Sequence, residues 1–239
     1  MTQKVILDCD TGRDDAVAVM LAALAPSLEL LGVVTVSGTR PTLEAAENTL
    51  RCLEYIGAEQ VPVYAGAHLP LLVTTTPGRR RNIPNWAPSP IDGGLMDDLP
   101  KAKADYQKQN GIFWLIETLR ASASDIVLIQ TAPLTNLALA LRIAPDIAGK
   151  IQEVVIMGGG YLGANTSASS EHNFWFDPEA AKIVLHSGVP IRLITMDACN
   201  SAQVNYDDVA RLRALGTPAA VSIADFTKKR IDGREPGAR

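Results

Sequence analysis

The sequence predicts an α/β fold with a mostly parallel central sheet flanked by helices, and three observations carry that expectation. Short apolar segments alternate with helix-periodic segments along the whole chain. Residues 28–36 form a mostly apolar run, interrupted by Glu29 and Thr35, as strands buried on both faces do. Polar, turn-rich loops follow several apolar segments, and ligand contacts in such folds sit beyond the carboxyl ends of the strands.

The elements follow in order. Residues 4–8 read as a short buried strand, and an apolar helix pattern starts at Ala16. After the run at 28–36, residues 43–56 have helical spacing (Leu43, Ala46, Leu50, Leu53) and stop at Gly57, a C-cap residue. A short strand at 61–64 precedes a helix at 112–119, a strand at 126–130 and a strongly apolar helix at 134–141. The strand at 154–157 runs into Gly158-Gly159-Gly160. A helix at 179–186, a strand at 191–194 and final helices at 209–215 and 219–230 complete the alternation, with no internal repeat.

A chain of 239 residues, 47% hydrophobic and 20% charged, suits one domain spanning residues 1–239 with a sizeable core. The net charge of −4 gives no electrostatic reason to expect a nucleic-acid partner. Cys9, Cys52 and Cys199 are odd in number and far apart, which argues against a disulfide framework and for a reducing compartment. The opening MTQKVILDCD lacks a basic start, a long apolar core and a cleavage site, and no segment is apolar for long enough to span a membrane. The expected location is the cytoplasm, with no membrane partner.

Asp8, Asp10, Asp14 and Asp15 fall within eight residues directly after the first strand. Asp8 and Asp10 share a face if strand geometry persists, and Asp14 and Asp15 then open the helix, where the dipole favours negative charge. One helix end does not neutralise four carboxylates in so small a volume. Like charges this close raise one another's pKa unless a cation sits among them. The string therefore points to a metal site, and all-oxygen ligands point to calcium or magnesium rather than zinc. Gly12 permits the close turn that brings its two ends together.

Two further elements bear on chemistry. Thr131-Ala132-Pro133-Leu134-Thr135-Asn136 follows the strand at 126–130, where a carbonyl can face the site before proline turns the chain into its helix. Alone, this is also what an ordinary strand-to-helix turn looks like. In the Gly/Ser/Asn-rich stretch 158–173, Glu171 and Asn173 lie two apart and point to one side if extended, offering a carboxylate and an amide to ligand hydroxyls. Asp177-Pro178 reads as an N-cap followed by proline at the first helical position, so Asp177 is expected to serve that helix alone. Residues 74–98, with Arg79-Arg80-Arg81 and Pro84, Pro88 and Pro90, form a candidate lid loop or a solvated connection.

The strings DCDTGRDDA, TAPLTNLALAL, MGGG and EHNFWFDPEAA, in this order over nearly the whole chain, resemble the inosine–uridine-preferring nucleoside hydrolase family. The resemblance implies a nucleoside hydrolase-like, Rossmann-like open sheet and calcium-dependent hydrolysis of the N-glycosidic bond of ribonucleosides. It also implies that Asp10 and Asp15 bind Ca2+ through carboxylates and Thr131 through its carbonyl, with Asp10 the base for the attacking water. Asp14, Asn165, Glu171 and Asn173 match positions that hold the ribose hydroxyls. The implied partner is a small ribonucleoside, and the implied assembly a homodimer or homotetramer.

The chain departs from the family pattern in three places. Ser37-Gly38-Thr39 lacks the expected asparagine, and Pro90-Ile91-Asp92-Gly93-Gly94-Leu95 lacks a histidine. The chain ends at Gly233-Arg234-Glu235-Pro236-Gly237-Ala238-Arg239, before the late H-D-P element whose aspartate is a family calcium ligand, so a C-terminally shortened chain is expected. His68, His172 and His186 do not replace the missing histidine by motif and read as structural or solvated. Two alternatives remain open: an inactive nucleoside- or ribose-binding protein of the same fold, and a magnesium-dependent haloacid-dehalogenase-type phosphatase suggested by Asp8-Cys9-Asp10-Thr11. The second leaves Thr135, Glu171 and the DPEAA string without a role.

Overall fold

A computed structural model describes residues 2–72 and 96–233 of the chain. Six strands build one sheet: β1 (Gln3–Cys9), β2 (Leu28–Thr35), β3 (Val63–Ala65), β4 (Ile126–Gln130), β5 (Ile151–Met157) and β6 (Ile191–Ile194). All pair in parallel, in the order β3-β2-β1-β4-β5-β6. The chain works outward from β1 to β3, then returns to the other side of β1 with β4. That reversal opens a crevice between the carboxyl ends of β1 and β4, the usual ligand position in open α/β sheets.

The α-helices among the described residues are α1 (Arg13–Leu24), α2 (Thr42–Tyr55), α3 (Gly111–Ala121), α4 (Thr135–Ile143), α5 (His172–Phe176), α6 (Pro178–Leu185), α7 (Met196–Ser201), α8 (Tyr206–Ala214) and α9 (Pro218–Asp232). Adjacent residues of β1 point to opposite faces, and both faces are covered. Ile6 joins a core with Leu115, Leu128, Leu137 and Val184, whereas Leu7 joins one with Val19, Met20, Leu53 and Phe226. Helices α3, α4 and α6 therefore cover one face, and α1, α2 and α9 the other. Removing a side chain such as Leu137 would cost about 2–5 kcal/mol.

The predicted order of strands and long helices is observed, with local differences. Helix α1 starts at Arg13, three residues before Ala16, so that Asp14 and Asp15 occupy its first turn. The opening half of β2 is only partly buried, so the two-sided burial expected of the whole run holds for its second half. Leu43 is 46% exposed and lies off the buried stripe of α2, which contains Ala46, Leu50 and Leu53. Gly57 does close α2, at φ +74°, where Ala58 N–H donates to Leu53 O at 2.8 Å. Helices α5 and α7 and a 3-10 turn over Pro145–Lys150 were not anticipated, being too short to show a helical period.

Most of the candidate lid lies outside the described residues, including Arg79-Arg80-Arg81 and Pro84, Pro88 and Pro90; only residues 96–98 are described. Residues 90–95 and 234–239 also lie outside them. Among the described residues no helix is long and apolar enough to cross a membrane.

Candidate functional site

The acidic string leaves β1 at the crevice and buries three of its four carboxylates. Asp8, Asp10 and Asp15 are 1%, 3% and 7% exposed. Asp14 faces solvent, where Arg230 of α9 donates to its Oδ2 at 3.3 Å. The string is fixed from below by α2: Asn48 Nδ2 donates to Thr11 O at 2.9 Å, and the Thr11 and Thr49 hydroxyls meet at 2.7 Å. Gly12 N–H in turn donates to Asp15 Oδ2, closing the turn on itself.

Asp10 Oδ2 accepts from both the backbone N–H and the hydroxyl of Thr39, the latter at 2.8 Å. Thr39, noted in the sequence only for lacking an amide, thus orients the central carboxylate. Gly38 makes the approach possible, since a Cβ there would lie 2.1 Å from Asp10 Oδ2.

Thr131 joins the second half of the site to the first. Its backbone N–H donates to Asp8 O at 2.9 Å, and its hydroxyl donates to Asp15 Oδ1 at 2.7 Å. Its carbonyl accepts from Asn173 Nδ2 at 3.0 Å, and the same amide donates to Met157 O at 3.1 Å. Asp15, Thr131 and Asn173 therefore form one chain of contacts across the ends of β1, β4 and β5.

Glu171 and Asn173 are not the extended pair expected from their spacing. Glu171 caps α5: its Oε1 accepts Asn173 N–H at 2.8 Å, and its Oε2 accepts Phe174 N–H at 3.1 Å. These charge-assisted bonds turn the chain into a helix at once. Glu171 Oε2 also accepts Gly159 N–H at 2.9 Å, which anchors the glycine run after β5. Asn165 lies farther out, exposed on the loop, with Oδ1 accepting His172 N–H at 2.8 Å.

Asp177 does more than cap. Its Oδ1 accepts Ala180 N–H as expected, but its Oδ2 accepts Thr135 Oγ1 at 2.7 Å and Leu71 N–H at 3.0 Å. A fully buried carboxylate needs several donors, and two arrive from elements distant in sequence. Asp197 was not anticipated. It gathers the backbone N–H groups of Tyr161, Leu162 and Gly163 at 2.7–2.9 Å, and those bonds hold its carboxyl down to about 2. An open depression lined by Asn165, Thr166, Met196 and Asn200 adjoins this loop and contains none of the buried carboxylates.

Electrostatics at the crevice is dominated by uncompensated negative charge. Burial pushes the carboxyls of Asp8, Asp10 and Asp15 upward; Thr39 and the nearby His172 partly counter this at Asp10, while Asp10 and Asp14 add to it at Asp15. Asp8 Oδ1 accepts from Asn136, but its Oδ2 is enclosed with no hydrogen-bond partner. Among the described residues no lysine, arginine or histidine forms an ion pair with these three carboxylates. Nor do three or more His, Cys, Asp or Glu side chains there form a group that could hold a metal ion. The carboxylates of Asp10 and Asp15 are close enough to raise one another's charge cost, and Thr131 adjoins them through its hydroxyl bond to Asp15. An all-oxygen set of this kind suits a hard cation better than zinc.

Comparison with known proteins accords with this geometry. The family model described as inosine-uridine preferring nucleoside hydrolase matches residues 5–237. The pyrimidine-specific ribonucleoside hydrolase RihB of Escherichia coli (strain SE11) is 36% identical over 226 residues, 94% of this chain and 69% of the relative. Among solved structures, a plant nucleoside hydrolase, PpNRh1, superposes with a TM-score of 0.86 at 25% identity, covering 98% of this chain and 72% of that one. The purine-preferring ribonucleoside hydrolase from Gardnerella vaginalis superposes with a TM-score of 0.84 at 29% identity, covering 97% and 72%. The chain belongs to the inosine-uridine preferring nucleoside hydrolase family.

Proposed function

We propose that this chain is a calcium-dependent ribonucleoside hydrolase, cleaving the N-glycosidic bond to give ribose and free nucleobase. The observation that carries this reading is the buried pair Asp10 and Asp15 at the β1–β4 crevice, neither of which forms an ion pair among the described residues.

Asp10, Asp15 and the Thr131 carbonyl would hold the cation. Calcium takes about 6–8 oxygens, more than these three residues would supply by themselves. When bound, the ion supplies a Lewis-acid charge that makes a neighbouring water easier to deprotonate. Asp10 accepts a proton from the attacking water, and its carboxylate is held for the task by the two Thr39 donors. The sugar passes through an oxocarbenium-like state, which the negative charge of Asp10, Asp14 and Asp15 stabilises. Asp14, Asn165, Glu171 and Asn173 serve the ribose hydroxyls. Hydrogen bonds hold three of them: Glu171 and Asn173 through the α5 cap, and Asn165 through His172 N–H.

The reading extends to a single catalytic domain working in the cytoplasm, supported by three free cysteines. It is tested by following free-base and reducing-sugar release from inosine, uridine, cytidine and adenosine, with calcium and with chelator. Calcium-dependent release is expected. A folded chain that releases no base but is stabilised by ribose and calcium would instead be a binding protein.

A further inference from the structure

His172 occupies a position that its reading as a solvated or structural side chain does not explain. It lies between Glu171 and Asn173, two of the residues assigned to ribose, on the first turn of α5. Its ring lies near the rings of Trp175 and Phe176, with centroids 6.3 Å and 5.9 Å away. Its Nε2 is enclosed and has no hydrogen-bond partner among the described residues. A ring nitrogen withheld from water without a partner is costly unless a ligand supplies one.

The other ring nitrogen is engaged. His172 Nδ1 lies 3.4 Å from Thr166 Oγ1, which is 3.3 Å from Asn165 Oδ1. Asn165 Oδ1 also accepts the backbone N–H of His172. With both ring nitrogens protonated, the Nδ1 proton goes to Thr166 and the hydroxyl proton to Asn165. That direction leaves Nε2–H as the one donor without an acceptor. The ring is also close enough to Asp10 to offset a part of the upward push that burial gives its carboxyl, so it shares the electrostatic environment of the reacting centre. The titratable groups of that environment are Asp10, Asp14 and Asp15 from the β1–α1 turn, Glu171 beside the ring, and Cys199 from α7.

We propose that His172 is the leaving-group residue of this chain, hydrogen-bonding the nucleobase through Nε2 and delivering a proton to it. The inference rests on the hydrolase reading above. The bond between C1′ and the base nitrogen breaks, and its electron pair leaves with the base. The His172 Nε2 proton passes to that base. Water adds its hydroxyl to C1′ and gives its other proton to Asp10, and exchange with solvent restores both side chains. Nucleoside and water thus become ribose and neutral base. Thr166 and Asn165 act as positioning residues through Nδ1.

The test compares inosine and uridine with p-nitrophenyl β-D-riboside, whose leaving group departs as a stable anion without a proton. In His172→Gln and His172→Ala, the ratio of nucleoside turnover to aryl-riboside turnover is expected to fall about 100-fold or more. Equal loss on both substrate types would show that His172 merely supports the fold, and an unaltered ratio would show that the base leaves without it; either overturns the proposal. Wild-type protein that cleaves the aryl riboside but neither nucleoside would overturn it while leaving ribosyl hydrolysis standing. Wild-type protein that cleaves none of the three would overturn the hydrolase reading and this proposal with it.

Discussion

Asn136 Nδ2 donates to Asp8 Oδ1 at 3.0 Å, tying the first turn of α4 to the carboxylate near the end of β1. The same amide nitrogen donates to Thr35 O at 3.2 Å, and Asn136 Oδ1 accepts Ala67 N–H at 2.7 Å. One buried side chain thus joins β1, β2 and the segment after β3, beneath the acidic string. Gly66 has no Cβ to compete, for one would lie 2.2 Å from Asn136 Oδ1. Replacing Asn136 with alanine leaves a buried carboxylate and a buried N–H without their partner. The expected loss is about 3 kcal/mol of stability, seen as a melting temperature lowered by roughly 6–12 °C. A shift of less than a degree would show that water replaces the amide at no cost.

Gly38 tests whether the position of Asp10 matters as much as its charge. In Gly38→Ala the new Cβ meets Asp10 Oδ2 and also Pro133 Cδ, at 2.1 Å and 2.9 Å. Asp10 must move, and a displacement of about 1 Å at a reacting group costs on the order of 100-fold in rate. Gly149→Ala is the matched control, because its Cβ meets nothing within 4 Å. Steady-state rates of the two variants should differ by that factor. Comparable rates would mean that Asp10 is free to adjust.

The sheet and the acidic string were legible in the sequence for reasons that these residues illustrate. The alternation of Ile6 and Leu7 between two cores is written in their hydrophobicity, and the charge density of Asp8, Asp10, Asp14 and Asp15 needs no fold to be noticed. What stayed hidden depends on long-range closure. Asn136 was visible as one letter of a turn, yet its partners Asp8 and Thr35 lie 128 and 101 residues away. Asp177 read as a cap because the local Asp-Pro signal is strong, and that signal carries no trace of Thr135 or Leu71. Glu171 and Asn173 were placed on one side of an extended segment because a five-residue helix is too short to show its period. Asp197 carried no signal at all, since its partners are backbone N–H groups that every sequence possesses.

Asp10 and Asn173 should separate by phenotype. Asp10→Ala removes a proposed cation ligand and the proposed base together, so calcium binding measured by calorimetry and base release should both disappear. Full activity in that variant would refute the mechanism. Asn173→Ala removes the donors to Thr131 O and Met157 O but leaves both acidic ligands. Calcium should still bind, while KM for nucleoside rises by about 10-fold or more, as a lost hydrogen bond to substrate implies. Abolished calcium binding in Asn173→Ala would instead place this residue on the metal side of the site.

The raised carboxyls predict how pH and cation act together. Asp8, Asp10 and Asp15 have folded-state pKa values above their ordinary value of 3.8, chiefly through burial. Above that pH the folded state holds more protons than the unfolded state, so stability falls as pH rises toward the folded values. A bound cation favours the charged carboxylates and opposes this loss, and its binding expels their protons. Melting temperatures taken between about pH 5 and pH 8 should therefore decline more steeply in chelator than in excess calcium. The calcium-induced gain should widen with pH, and Asp15→Asn should shrink that gain. Parallel curves in chelator and calcium would mean that the cluster does not take up the ion, and that its charge is neutralised by protons alone.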